Sequence, residues 1–355
     1  MNKVDTKLLK SLIEIPSPSG FEQTLVYHIR DKLVKILPST VTLEIDYHNN
    51  LVISIPALKK PSKTVIVDAH ADQLGFLVTN VNKYGFISVN QIGGHDIQLI
   101  RARNALVLTE NGIINGVVDA KPIHLMEGDE DFPSKTSDLV LDIGIRNRKQ
   151  VLEMLSIGDP IILKPSFEEL YEGNFVGSGF DDKIGCFTLI KVIQKLIASR
   201  HRNLPTIKFI FSAQEEIGCF GSREVVRRET PDLFIGVDVI HATDYPNVDE
   251  RDSGRCILGE GSAIMKGINI YRPVNNLLLS IADKKKIPYQ IIATNSYGTN
   301  AGMVSHTNDG VRVLDIGIPL RNMHSPVEII NEKDVESAVD LITQLLIDKR
   351  LKSKL

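Results

Sequence analysis

The chain has 355 residues, 43% of them hydrophobic and 24% charged, with a formal net charge of −3. This is the composition of a soluble globular protein with core enough for one large domain or two modest ones, and without a basic block or basic-aromatic stripe it lacks the electrostatic footprint that a phosphate backbone requires. No apolar run approaches the ~20 residues of a membrane-spanning helix, so the reading is a cytoplasmic protein, with no nucleic-acid or membrane partner, that meets peptides or small molecules.

At the amino end, Val4, Leu8, Leu12 and Ile15 fall at helical spacing with charges between them, which predicts a surface helix over 3–15 and no continuous apolar signal segment. Pro16-Ser17-Pro18-Ser19-Gly20 separates it from a second helix over 21–37. VTLEIDYHNNLVISIP then reads as two strands around an Asn-Asn turn, and residues 64–69 form a continuous apolar strand ending at His70. From 74 to 164 the texture changes to short strands punctuated by Tyr-Gly, Asn-Gly and Gly-Asp, with one brief helix candidate near 148–156. That texture predicts an inserted, barrel-like β-domain, whose many short strands need their edges covered, for instance by a second subunit. After residue 180, helices (182–199, 221–229, 273–286, 299–307, 333–350) alternate with strands (206–212, 233–240, 289–294, 311–316), the pattern of an α/β sheet with helices on both faces.

The chemistry-bearing residues sit at the ends of those strands. SAQEEIGCFG places Glu215 and Glu216 directly after the apolar strand that ends at Phe211. His70 and Asp72 lie two apart, so on extended backbone they point to the same side. Asp181 and Asp182 precede a helix, Asp238 stands on an apolar strand, and His324 follows another strand and its turn. Each has an ordinary explanation: a solvated loop, a hydrogen-bonded histidine, a helix cap. All five nevertheless fall where open α/β sheets build their sites. Two imidazoles and three carboxylates, with no thiolate, suit Zn²⁺, Co²⁺ or Mn²⁺ and are too nitrogen-rich for calcium. With one carboxylate bridging, they could hold two ions about 3.5–4 Å apart. Cys186, Cys219 and Cys256 are odd in number and carry no CxxC pairing, which points away from a disulfide framework and from a thiolate zinc site.

The segments AHADQLGF, NGVVDAKPIHL, GFDDKIG, QEEIGCFGS, GVDVIHATD, GTNAG and PLRNMHSPVEII resemble, in order, the tetrahedral co-catalytic metallo-aminopeptidases that include glutamyl and deblocking aminopeptidases, once also described as cellulases. The resemblance implies an α/β fold with a mixed sheet sandwiched by helices, as in di-metal exopeptidases, a catalytic domain over 1–73 and 165–355, and an inserted oligomerisation domain over 74–164. It makes His70 and Asp238 ligands of one metal, Glu216 and His324 ligands of a second, and Asp181 the bridge. Asp72 would orient His70 through its other ring nitrogen, and Glu215 would be the catalytic base. The implied cofactor is a pair of divalent ions, Zn²⁺ first, with Co²⁺ or Mn²⁺ as alternatives. The implied activity is hydrolysis of the N-terminal peptide bond of short peptides with a free N-terminus, by a metal-bridged hydroxide, in a homo-oligomer, a dodecamer by kinship. The Asp181-Asp182 peptide is expected to be cis.

Four positions depart from the family pattern: Lys183 for Arg, His95 for Trp, Asn300 for Asp, and Glu260 where a basic residue is frequent. They bear on the substrate pocket, and Glu260 is expected beside it, favouring basic N-terminal residues. The rival readings are a related di-metal carboxypeptidase or N-acyl amino-acid deacylase, a glycoside hydrolase, and a non-catalytic assembly protein with a relict metal site. The long insertion and the HATD motif disfavour the first. The absence of tryptophan for sugar stacking disfavours the second.

Overall fold

The computed structural model describes residues 3–58, 62–128, 135–199, 201, 204–294 and 298–355. Helices α1 (Lys3–Ile13) and α2 (Gln23–Leu33) come first, followed by the hairpin β1 (Thr42–Ile45) and β2 (Leu51–Ile55) and by β3 (Thr64–His70). The hairpin turns at Asn49, whose positive φ of 67° fits the Asn-rich signal.

Strands β4 (Gly75–Val81), β5 (Ile87–Ile92), β6 (Asn104–Thr109), β7 (Gly112–Val118), β8 (Val140–Asp142) and β9 (Pro160–Leu163) follow, with the short helix α3 (Arg148–Leu152) before the last of them. These six close into a barrel in the order β4-β5-β8-β7-β6-β9. Its core is Phe76, Val78, Val107, Leu141, Ile161 and their neighbours, a cluster separate from that of the main sheet. Closure removes the sheet edges. Edge covering is therefore not a reason for this barrel to seek a second subunit, and any self-association must rest on its outer surface.

After the barrel come β10 (Phe167–Glu169), β11 (Asn174–Gly177), α4 (Phe180–Ser199), β12 (Thr206–Ser212), α5 (Phe220–Glu229), β13 (Leu233–His241) and the single turn α6 (Glu250–Ser253). The chain ends with β14 (Ser262–Gly267), α7 (Arg272–Lys285), β15 (Tyr289–Thr294), α8 (Asn300–Val304), β16 (Val313–Leu320), β17 (Glu328–Asn331) and α9 (Glu332–Ile347). Eight strands form one mixed sheet ordered β1-β2-β12-β3-β13-β16-β14-β15, and β10-β11-β17 form a small antiparallel sheet beside it. The central strands β12, β3, β13 and β16 are mutually parallel. Alternation sorts their side chains: Val65, Val67 and Ala69 join α1, α4 and α9 in the large core, while Ile66 joins Val225, Val226 and Val304 on the opposite face.

The small sheet β10-β11-β17 has no counterpart in the sequence expectation, and two features of the main sheet differ from it. Strand β14 is absent from the sequence expectation, because its six residues follow Gly261, end on Gly267 and are half small, too short and glycine-bounded for a periodic signal. Strand β16 runs four residues past 316, through Leu320, because its pairing with β13 continues to His241. That extension carries the chain to the edge of the site before it turns back towards His324.

Candidate metal centre

The four parallel strands end side by side. Ser212 pairs with His70 across β12 and β3, and Asp238 lies opposite Gly317 across β13 and β16. Side chains beyond these ends must converge, and they do. His70 Nε2 lies 3.0 Å from Asp181 Oδ1, 3.8 Å from Asp238 Oδ1 and 4.0 Å from Glu215 Oε2. His324 Nε2 lies 3.3 Å from Asp181 Oδ2 and 3.7 Å from Glu216 Oε2. All seven residues singled out in the sequence are thus gathered in one place, with Asp181 between the two imidazoles. Two sets of ligand atoms each fall within 4.8 Å of one another: His70, Asp181 and Glu216, and His70, Asp182 and Asp238.

The second set includes Asp182, to which the family resemblance assigns no role. Its Oδ1 accepts from the Gly185 amide at 3.0 Å, while Oδ2 is buried without a hydrogen-bond partner. A Cβ at position 185 would lie 2.2 Å from that oxygen, so the glycine of GFDDKIG is what allows the approach. The Asp181-Asp182 peptide is cis.

Asp72 holds the floor rigid. Its carboxylate lies 3.4 Å from His70 Nδ1, accepts from Ser19 Oγ at 2.6 Å, and accepts from the backbone amides of Glu215 (3.0 Å) and Glu216 (3.1 Å). With its carbonyl oxygen 3.1 Å from the same Nδ1, this one buried residue orients an imidazole and the peptide units of both glutamates. Glu328 does the same on the other side: it accepts from the amides of Phe180 (2.7 Å), Asp181 (3.3 Å) and His324 (3.2 Å). Sequence reasoning missed Glu328, although a glutamate inside the apolar run VEII was a visible signal.

The charge balance is lopsided. Among the described residues the only ion-pair partners of Asp72, Asp181, Glu215, Glu216 and Asp238 are the two imidazoles. Burial raises the Glu216 carboxyl well above its usual range, and the Asp181 charge adds to that. Burial likewise raises Asp238, with His70 opposing it and Asp181 reinforcing it. Asp181 itself is held low, because the hydrogen bonds from His324 and His70 outweigh its desolvation. Glu216 Oε1 is buried with no hydrogen-bond partner. An orphaned carboxylate oxygen inside a negative, N/O-donor cluster is what divalent cations would compensate, so the residues fit the pair of ions that the sequence implied.

Comparison with known proteins decides the kinship: the model of M42 glutamyl aminopeptidases matches residues 49–341. The chain belongs to this family. It is 32% identical over 350 residues to the lysyl aminopeptidase of Pyrococcus furiosus, covering 97% of each chain. The TET aminopeptidase of a marine sediment Thaumarchaeota archaeon superposes with a TM-score of 0.92 at 25% identity, covering 99% of this chain and 98% of that one. The TET1 peptidase of Pyrococcus horikoshii, described as assembling into a tetrahedron or a large octahedral shell, superposes with a TM-score of 0.84 at 28% identity, over 96% and 99% of the chains. As an M42 member the protein is an aminopeptidase, a hydrolase of a metal-dependent family, and the cluster above supplies its candidate ligands.

The departures from the M42 pattern now have locations. A cleft beside Glu216 and His324 is walled by Leu74, His95, Ile100, Leu163 and Pro326, so only His95 of the four lines it. Lys183 is fully buried and donates to Ile15 O (2.7 Å) and Gln73 Oε1 (2.5 Å), tying the end of α1 to the loop after Asp72. Asn300 donates to Asp68 Oδ2 at 2.7 Å and to Ser212 Oγ at 3.0 Å beneath the strand ends. An Asp there would set two buried carboxylates against each other. Glu260 is a correction: it forms an exposed pair with Arg255 at 3.0 Å and is not among the residues that line the cleft. The unpaired carboxylate expected to select basic N-terminal residues is not there.

Proposed function

We propose that the protein is a di-metal aminopeptidase that removes the N-terminal residue of short peptides. The observation that carries this is the split between the two adjacent glutamates. Glu215 turns Oε2 towards His70 at 4.0 Å, whereas Glu216 keeps Oε1 buried and partnerless and sets Oε2 3.7 Å from His324. In this reading His70 and Asp238 hold one ion, Glu216 and His324 the other, and Asp181 bridges them, with Zn²⁺ first and Co²⁺ or Mn²⁺ as alternatives. Two such ions would lower the pKa of a water molecule and polarise a peptide carbonyl.

The chain's own residues do the rest. Glu215 accepts a proton from the attacking water at Oε2 and delivers it to the leaving amine. Asp72 keeps the base in place through the Glu215 amide. The free α-amine of the substrate is drawn to the carboxylates of Glu216, Asp181 and Glu328, which line the cleft. This accounts for cleavage at the amino end only.

The domain assignment, 1–73 with 165–355 for catalysis and 74–164 for assembly, is part of the proposal. It is supported by the separate core of the barrel and by the exposed Tyr84, Ile113, Val117 and Leu125 on or beside its strands. With the shell described for the P. horikoshii relative, these favour a homo-oligomer, a dodecamer. Three buried free cysteines accord with a reducing, cytoplasmic setting.

The test is digestion of a peptide library with added Zn²⁺, Co²⁺ or Mn²⁺, read by mass spectrometry. Unblocked peptides should shorten stepwise from the amino end while N-acetylated ones persist. Shortening from the carboxyl end, or release of acyl groups, would replace this reading with the carboxypeptidase or deacylase alternative.

A further inference from the structure

We infer that Cys219 is a positioning residue: its thiol holds one oxygen of Glu215, so that the other is the one presented to the reacting water. The inference rests on the reading of Glu215 as the base. Its geometry is independent of that reading.

The segment after Glu215 is a tight reversal. The amides of Gly218 and Cys219 both donate to the Glu215 carbonyl at 2.9 Å, and Cys219 adopts φ 55° and ψ 38° at the start of α5. This left-handed turn folds position 219 back over the side chain four residues earlier. Cys219 Sγ donates to Glu215 Oε1 at 3.3 Å, and the thiol is 5% exposed. Oε1 is thus engaged by the thiol, while Oε2 faces His70.

A glutamate side chain has three torsions, and a general base works only if its accepting oxygen is aimed. A lysine or arginine at 219 would aim it too, but would strengthen the charged form of the carboxylate and blunt its basicity. A thiol is a weak neutral donor. It fixes the carboxylate with little cost to its ability to take a proton. Nothing else in the mechanism uses Cys219, and among the described residues Glu215 is the only side-chain hydrogen-bond partner of its sulfur.

The experiment uses the metal-loaded full chain on an unblocked peptide. Cys219→Ala should lower kcat about three- to tenfold, the loss expected when one hydrogen bond from a weak donor no longer orients the base, with KM and metal content unchanged. Cys219→Gly, which suits the left-handed backbone, should do the same and serves if the alanine variant folds poorly. Cys219→Ser, which restores a donor, should recover the rate to within about twofold. In a Glu215→Gln background Cys219→Ala should cost nothing further, whereas a merely structural role would lower both backgrounds alike. A second readout needs no turnover: the Cys219 S–H stretching band, isolated by infrared difference against Cys219→Ser, should move to its unbonded position in Glu215→Leu. Full activity in Cys219→Ala with a dead Glu215→Gln, an equal loss in both backgrounds, or an unmoved S–H band would each overturn the inference alone. If Glu215→Gln keeps wild-type turnover, the reading of the base falls and this inference falls with it.

Discussion

The strand-end floor and the barrel are held together by opposite means. At the floor, imidazoles lie within 3–4 Å of carboxylates, and the repulsion among those carboxylates is tolerable because Asp72 and Glu328 fix the loops through five backbone amides and because cations suit the remaining charge. In the barrel the core is aliphatic and aromatic, with Phe76, Val81, Val107 and Leu141 almost fully buried and no titratable group among them. The difference teaches where each kind of substitution should register: charge changes at the floor should alter chemistry and metal content, and volume changes in the barrel should alter stability and access.

The largest effects are expected at the floor, and they separate its two adjacent glutamates. Glu215→Gln should keep both ions and the fold but lose about 10²–10⁴ in kcat, because the amide retains the shape and cannot accept a proton. Glu216→Gln should instead lower the number of ions bound per chain, since it replaces a charged ligand by a neutral amide oxygen. Metal content by mass spectrometry and kcat on an unblocked peptide, measured together on both variants, give the answer. A Glu215→Gln protein short of metal beside a metal-replete Glu216→Gln protein would reverse the roles.

Next in size is a barrel change that should leave the floor alone. Leu141 is 1% exposed in the barrel core, and Leu141→Ala should cost about 2–5 kcal/mol of stability through lost contacts and a cavity. The metal content of the folded protein should be unchanged. If the ions are lost in parallel, the two regions are coupled more tightly than their separate cores indicate.

Much of this was legible in the sequence, for identifiable reasons. His70 and Glu216 stand at or just past the end of an apolar run and Asp238 stands within one, so a reader could place these candidate ligands on the sheet without a structure. The barrel announced itself through Tyr84-Gly85 and Asn111-Gly112, which are turns in the fold between β4 and β5 and between β6 and β7. What stayed hidden depends on contacts between distant segments. Ser19 reaches Asp72 across 53 positions, and Glu328 reaches Phe180 across 148; a glutamate inside VEII is conspicuous, but nothing local names the partner of either residue. Glu260 misled for a different reason: its partner Arg255 is only five positions away, but whether two neighbouring side chains meet is a matter of loop geometry that composition does not encode.

The smallest expected effect lies where the two regions meet. His95 comes from the barrel segment, stacks on Phe76 with ring centroids 4.3 Å apart, bonds through Nε2 to Gly75 O at 2.9 Å, and forms part of the cleft wall beside His324. It belongs to the barrel by packing and to the substrate by position. His95→Ala should therefore raise KM about fivefold, the effect of roughly 1 kcal/mol of lost contact, while kcat and metal content hold, because an interaction made equally in ground and transition states lowers KM only. Its titration gives a second signature. Burial pushes the imidazole down to about 4, so between that value and the unfolded value near 6.5 the unfolded chain binds a proton that the native ring refuses. Stability is then lost as pH falls through this window and levels off below it. Denaturant midpoints between pH 7 and pH 4 should fall less steeply in His95→Ala than in the wild type. Equal slopes would mean that the ring charges freely in the native state and that the wall of the cleft is wetter than its packing shows.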